Sequence, residues 1–260
     1  MTTAWEGTTA SDYIIETVSL GKTFKGFRAV QDINLKVRRN SIHALIGPNG
    51  AGKTTVFNLI TKFHTPTTGK ILLDGRDVTS FSPAALARQG MGRSFQISSI
   101  FSSMTVLENV RISLQRKTGL SLKFWLPQQA LHPLHERADE LIEYVGLADY
   151  RNIQAASLSY GRKRALELAT TVAMDPEVLL LDEPMAGMGY EDIEQTTDVI
   201  RRISADRTIL MVEHNLSVVA DLSHFITVMT RGEILAEGKY HEVAEDPRVR
   251  EAYIGGANNG

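Results

Sequence analysis

The decisive stretch is "GPNGAGKTT", residues 47–55, set between the apolar run "SIHALI" at 41–46 and "VFNLITKF" at 56–63. Gly47, Gly52, Lys53 and Thr54 fall at the spacing G-x-x-x-x-G-K-[ST], in the strand–loop–helix setting that this phosphate loop requires. Val56, Leu59, Ile60 and Phe63 recur at helical spacing, so a helix is expected to start directly behind the loop. Glycines let backbone N–H groups turn inward as a nest for phosphate oxygens, and a helix N-terminus adds partial positive charge. Gly47, Pro48, Asn49, Gly50, Ala51 and Gly52 are therefore read as the cradle, continued by Thr54 and Thr55. Lys53 is expected to reach the β- and γ-phosphates, and the Thr54 hydroxyl to ligate Mg²⁺.

A loop of this kind needs acidic partners, and "VLLLDEP" at 178–184 supplies them: an apolar strand ending in Asp182 and Glu183. An Asp at a buried strand end beside the loop can hold Mg²⁺, and the Glu after it can polarise the attacking water. His214 ends another apolar run, "ILMVEHNL" at 209–216. If that strand lies beside the Asp-Glu strand, the imidazole comes within reach of a γ-phosphate; a lone His there is otherwise a structural residue. Gln96, in "GRSFQ", stands where the chain leaves the α/β part and is a candidate to touch Mg²⁺ or the water; its alternative is a surface amide. Phe24 precedes the loop and can stack on an adenine ring or fill the core.

Further out, short β-rich runs alternate with helical patterns at both ends, which argues α/β with a mainly parallel sheet buried on both faces. From about Ser82 to Leu158 the strand signal fades and helical spacing takes over; "LHERADELIEYVGL" puts Leu141, Ile142 and Val145 on one face. A helical lobe inserted into an α/β lobe is expected. "SLSYGRKRALELAT" at 157–170 reads as another helix start, with Ser157 or Ser159 as the cap.

Composition narrows the function classes. Of 260 residues, 43% are hydrophobic, enough for a substantial core. The 28 basic and 30 acidic side chains leave a formal charge of −2, so no general footprint for nucleic acid exists and none is expected as a partner. There is no cysteine, which removes disulfides, thiolate metal sites and thiol catalysis. The opening "MTTAWEGTTASDY" lacks a secretory pattern, and no run approaches the roughly 18 apolar residues of a membrane-spanning helix, so a cytoplasmic protein is expected.

Phe24, "GPNGAGKT", Gln96, "LSYG", "LLLDEP" and His214 occur in the order and approximate spacing of the ATP-binding cassette (ABC) ATPases, which the chain resembles from about Asp12 to Gly256. "GRSFQ", "MTVLENV", "LSYGRKRALELA", "VEHNL" and "EILAEG…EVAEDPRVREAYIG" look like the cassettes of branched-chain or hydrophobic amino acid uptake; cassettes for urea uptake and lipopolysaccharide export are similar. The resemblance implies a P-loop NTPase fold: a RecA-like lobe (about 10–94 and 160–256), an antiparallel β portion and an inserted helical lobe (about 95–159). One domain over 10–256 is expected, with flexible tails at 1–9 and 257–260.

It implies ATP and Mg²⁺ as cofactors, with Thr54, Gln96 and Asp182 toward the metal and Glu183, His214 and Lys53 catalytic. Ser159, Tyr160 and Gly161 match the family's signature, which contacts ATP held by a second cassette in a homo- or heterodimer. Transmembrane permease subunits, and indirectly a solute-binding protein, are the further partners implied, with a peripheral location on the cytoplasmic face of the inner membrane. Tyr160 and Arg162 depart from the family's Gly and Gln, and Gly189 stands where many cassettes carry Asp. A soluble, nonhydrolytic nucleotide-gated scaffold is the rival reading, disfavoured by the presence of both Glu183 and His214.

Overall fold

The computed structural model describes residues 12–94, 100–117 and 132–256. The phosphate-loop strand is β4 (Ile42–Ile46), following β1 (Tyr13–Phe24), β2 (Phe27–Ile33) and β3 (Lys36–Arg38). After it come α1 (Lys53–Ile60), β5 (Thr68–Leu73), β6 (Arg76–Asp77), α2 (Pro83–Arg88) and β7 (Met91–Ser94). Helices α3 (Val106–Lys117), α4 (His132–Tyr144) and α5 (Tyr160–Val172) lead into β8 (Val178–Asp182). Then follow α6 (Tyr190–Ile203), β9 (Thr208–Val212), α7 (Leu216–Leu222), β10 (Phe225–Thr230), β11 (Glu233–Gly238), α8 (Tyr240–Glu245) and α9 (Pro247–Gly256).

Two sheets result. One runs β11-β10-β4-β9-β8-β7, parallel throughout except for the antiparallel edge pair β10–β11. The other is antiparallel, β2-β1-β5-β6 with β3 also on β1. Every residue of β4, β8 and β9 is buried, as expected of strands covered on both faces. Their side chains alternate with period two: Leu179 and Leu181 face the core shared with α3–α7, while Val178 and Leu180 face the core shared with α1 and the antiparallel sheet. Val106 and Val110 of α3 and Leu141 and Ile142 of α4 belong to the same core as α5 and the sheet, so the helical part packs continuously onto the α/β part.

Two expectations need correction. Strand signal fades from about Ser82, yet β7 lies beyond that point, at the end of the span 10–94 given to the RecA-like lobe; its "MGRS" has no β-branched residue and is strand because it pairs in parallel with β8, Met91 to Val178 through Ser94 to Leu181. Helix α1 ends at Ile60, with Lys62 at φ 64, so Phe63 is half exposed instead of extending the buried face of Val56, Leu59 and Ile60. The expected tails at 1–9 and 257–260 lie outside the described residues.

Candidate nucleotide site

The loop 47–52 has a backbone that side chains would block. Gly47 (φ 147) and Gly52 (φ 98) are left-handed, and a Cβ would lie 2.2 Å from the Met229 carbonyl oxygen at Gly47 and 2.9 Å from that of Ala29 at Gly52. Gly52 is the N-cap of α1 and has no side chain to fill the helix's first N–H groups, which are thereby left for a ligand. Lys53 is buried, and its Nζ donates to the carbonyls of Gly47 (2.7 Å) and Pro48 (2.9 Å). Burial lowers its pKa, opposed by the charge of Glu183. Together these residues border a cleft of about 310 Å³ lined by Asn49 to Thr55, Phe27, Ala29, Glu183 and His214, a size within the range of small-ligand sites.

β8 and β9 bring in the remaining groups. They pair in parallel with Asp182 opposite Val212, so Glu183 and His214 emerge from adjacent strand ends. Glu183 has φ 46, an uncommon conformation for a residue with a side chain, fixed by its N–H donating to the Val212 carbonyl (2.9 Å). Its Oε1 lies 2.8 Å from His214 Nε2, and both side chains line the cleft. Asp182 is 2% exposed; burial raises its pKa, with the Arg93 guanidinium acting against that shift.

Arg93 is a site residue that sequence reasoning passed over. From β7 it donates to Asp182 (3.3 Å), to Asn58 (3.0 Å) and Thr61 (2.8 Å) of the α1 region, and it stacks on Phe57 and Phe63. A single Arg three residues before Gln96 carries no signal of its own; the strand pairing supplies it. Gln96 itself lies outside the described residues. Phe24 meets His64 edge-on, with Lys22 above its ring, and the aromatic on the cleft wall is Phe27, 72% exposed, three residues on across the β1–β2 turn. The signal for Phe27 was its place on the same hairpin.

Ser159 is the cap of α5: its Oγ accepts from the Arg162 N–H at 3.5 Å, while Ser157 ends a separate 3₁₀ turn. Ser159 and Tyr160 are exposed, and neither they nor Gly161 line the phosphate-loop cleft. The first turns of α5 instead border a cavity of about 90 Å³ with Asp182 and Glu183, through Tyr160, Lys163, Arg164 and Glu167. Gly161 packs on α6, where a Cβ would fall 2.2 Å from Asp192 Oδ1. The C-terminal helix also reaches the loop: the Gly47 N–H donates to the Tyr253 oxygen, while burial pushes that hydroxyl's pKa up to about 12.

The sequence model of the ABC transporter family matches residues 30–186, which hold the loop, Arg93, α5 and the two acidic residues. The chain belongs to the ABC transporter family. It is an ATP-binding cassette and an ATPase. Its C-terminal part, 233–258, matches the model for branched-chain amino acid ATP-binding cassette transporters. Among curated proteins it is similar to the high-affinity branched-chain amino acid transport ATP-binding protein BraF of Pseudomonas aeruginosa, 35% identical over 94% of this chain and 98% of that protein. It is 39% identical to LivG of Salmonella typhimurium, which carries the same description, over 90% and 94%. LptB of Haemophilus influenzae, a lipopolysaccharide export ATP-binding protein, is 33% identical over 93% and 97%. Among solved structures, the ADP conformation of the ABC transporter cassette MJ1267 superimposes with a TM-score of 0.82 at 29% identity, covering 94% of this chain and 99% of that one.

The residues fit what such a cassette holds. The glycine-rich cradle suits a triphosphate, and the buried Asp182 carboxylate and the Thr54 hydroxyl are oxygen donors suited to a hard cation. No group of three His, Cys, Asp or Glu side chains arranged for a metal occurs among the described residues.

Proposed function

We propose that this cassette is the ATP-hydrolysing subunit of a membrane importer for branched-chain or other hydrophobic amino acids. The observation that carries the reading is the match of residues 233–258 to the branched-chain model, on a chain 35–39% identical to BraF and LivG. No helix among the described residues is long and apolar enough to cross a membrane. As a subunit of such an importer, like the relatives BraF and LivG, the cassette would sit on the cytoplasmic face, held by permease subunits that receive solute from a binding protein. It acts as one domain over 10–256, with 95–159 as its helical lobe.

In this reading the cradle 47–55 and Lys53 hold the phosphates, Thr54, Asp182 and Gln96 serve Mg²⁺, and an aromatic of the β1–β2 hairpin, Phe24 or Phe27, covers the adenine. Mg²⁺ held by those residues would supply positive charge against that of the phosphates. Glu183 orients and partly deprotonates the attacking water, with its carboxylate held by His214. Rate acceleration is mostly positioning and charge stabilisation. Ser159, Tyr160 and Gly161 serve the ATP of a second cassette, in keeping with the exposed Ser159 and Tyr160 standing off the phosphate-loop cleft of their own chain. Two nucleotides sandwiched between cassettes then drive closure, and hydrolysis reopens the pair.

The test is reconstitution of the cassette in vesicles with permease subunits of a branched-chain amino acid importer, MgATP and labelled leucine. Leucine uptake coupled to ATP hydrolysis is expected. Hydrolysis stimulated by lipopolysaccharide transport components, with no amino acid uptake, overturns the substrate assignment.

A further inference from the structure

We infer that Glu213 is a positioning residue: its buried carboxylate splices the loop after Glu183 to the loop carrying His214 and so sets the distance between those two side chains. The inference rests on the catalytic reading of Glu183 and His214 given above. Glu213 follows β9 directly and is 3% exposed. Its Oε1 accepts the Met185 N–H (3.1 Å), two residues beyond Glu183. Its Oε2 accepts the N–H groups of His214 (2.5 Å) and Asn215 (3.0 Å). The same turn is anchored further on, where the Asn215 side chain caps α7 by accepting from Ser217 and Val218. With Glu183 N–H on the Val212 carbonyl and Glu183 Oε1 2.8 Å from His214 Nε2, the two strand ends form a closed ring of hydrogen bonds, with Glu213 on its buried side.

Chemistry explains why a carboxylate belongs there. Three N–H donors converge on two oxygens, and a carboxylate is the side chain that offers acceptors only. Hydrogen bonds to an ionised acceptor are about twice as strong as neutral ones. A Gln of the same shape would turn an NH₂ toward one of these N–H groups and break one arm of the splice. An Asp would keep the acceptors but lose one methylene of reach. The segment tied at Met185 continues through Gly189 into α6, so Glu213 also links the catalytic pair to the surface that precedes that helix.

Glu213→Gln tests this in the full chain. In the nucleotide-free protein, hydrogen exchange at the Met185 or the His214 and Asn215 amides should accelerate while other β8 and β9 amides stay protected. With MgATP, kcat should fall roughly 10- to 100-fold, the scale of a misplaced catalytic group, while KM and the Kd of a fluorescent ATP analogue change less than about twofold, because the phosphate cradle is untouched. In a His214→Ala background, long-incubation turnover should show no further loss on adding Glu213→Gln. Unchanged exchange with kcat within twofold of wild type overturns the splice, as does a full additional loss in the His214→Ala background. Should Glu213→Gln not fold, Glu213→Asp carries the same readouts, with lost protection at Met185 and a smaller fall in kcat expected; wild-type values there overturn it equally. If His214→Ala itself turns over ATP at the wild-type rate, the catalytic assignment of His214 fails, an outcome separable from that of Glu213.

Discussion

At the scale of residues, three buried or half-buried groups have measurable chemistry. Glu183→Gln keeps the shape of the side chain beside His214 and removes its basicity. Hydrolysis should drop by roughly 10² or more while analogue binding persists; wild-type turnover would remove Glu183 from the role of base. Lys53→Ala takes away the buried ammonium and should weaken nucleotide binding itself, read in the same titration. His43, fully buried in β4, has its pKa lowered by burial from 6.5 to about 4. Its Nε2 meets Thr227 Oγ1 at 2.8 Å, and that hydroxyl donates to Glu237 (2.7 Å), so Nε2 carries the proton and Nδ1 is bare, without a hydrogen-bond partner among the described residues. Protonation would create a buried N–H⁺ with no acceptor. Because the unfolded chain binds this proton more tightly, stability from this site is full above about pH 6.5 and lost as pH falls toward 4. Urea unfolding should show a loss on the order of 2 kcal/mol between pH 7 and 5, and His43→Leu should flatten that slope whatever its own stability.

At the scale of elements, the helix starts of α5 and α6 make opposite predictions for two glycines. Gly161 faces Asp192 across the α5–α6 contact, with even the Asp192 Cβ only 2.8 Å from an added Cβ. Gly161→Ala should therefore destabilise the isolated chain by about 1–3 kcal/mol through overpacking, seen as a lower melting temperature without nucleotide. A charged residue at Gly161 would confuse packing with any effect on a partner's ATP. The exposed cap Ser159 is the cleaner probe, since Ser159→Ala costs at most about 1 kcal/mol at an Oγ–N distance of 3.5 Å. Gly189 caps α6 at φ −75 with open space where a Cβ would sit. Gly189→Asp should fold normally and melt no lower than wild type, because Asp is as good an N-cap or better.

At the scale of the whole molecule, Tyr160 borders the small cavity beside Asp182 and Glu183 but not the phosphate-loop cleft, and the proposed function assigns Ser159, Tyr160 and Gly161 to the ATP of a second cassette. MgATP should drive the Glu183→Gln protein into a larger species with its partner cassette on size-exclusion chromatography, and Ser159→Arg should prevent this while leaving analogue binding intact, since the added side chain fills the face presented to the partner. Loss of analogue binding in Ser159→Arg would instead place the signature within its own chain's site.

What the sequence by itself determined is what local spacing encodes. The glycine-rich loop 47–55, the strand-end Asp182 and Glu183, a helix start capped by Ser157 or Ser159 and the buried strands each follow from neighbours a few residues apart, where backbone conformation and apolar periodicity are decided; the structure then chose Ser159. What only the tertiary structure decided depends on segments far apart in the chain. β7 is a strand because β8 lies beside it, not because of its own residues. Arg93 meets Asp182 across 89 positions, and Glu213 holds Met185 across 28. Phe27 on the cleft wall, with Phe24 turned to His64, follows from how the β1–β2 hairpin crosses the loop. In each case the side chain's partner is chosen by sheet order, and no pattern in the residues beside it carries that order.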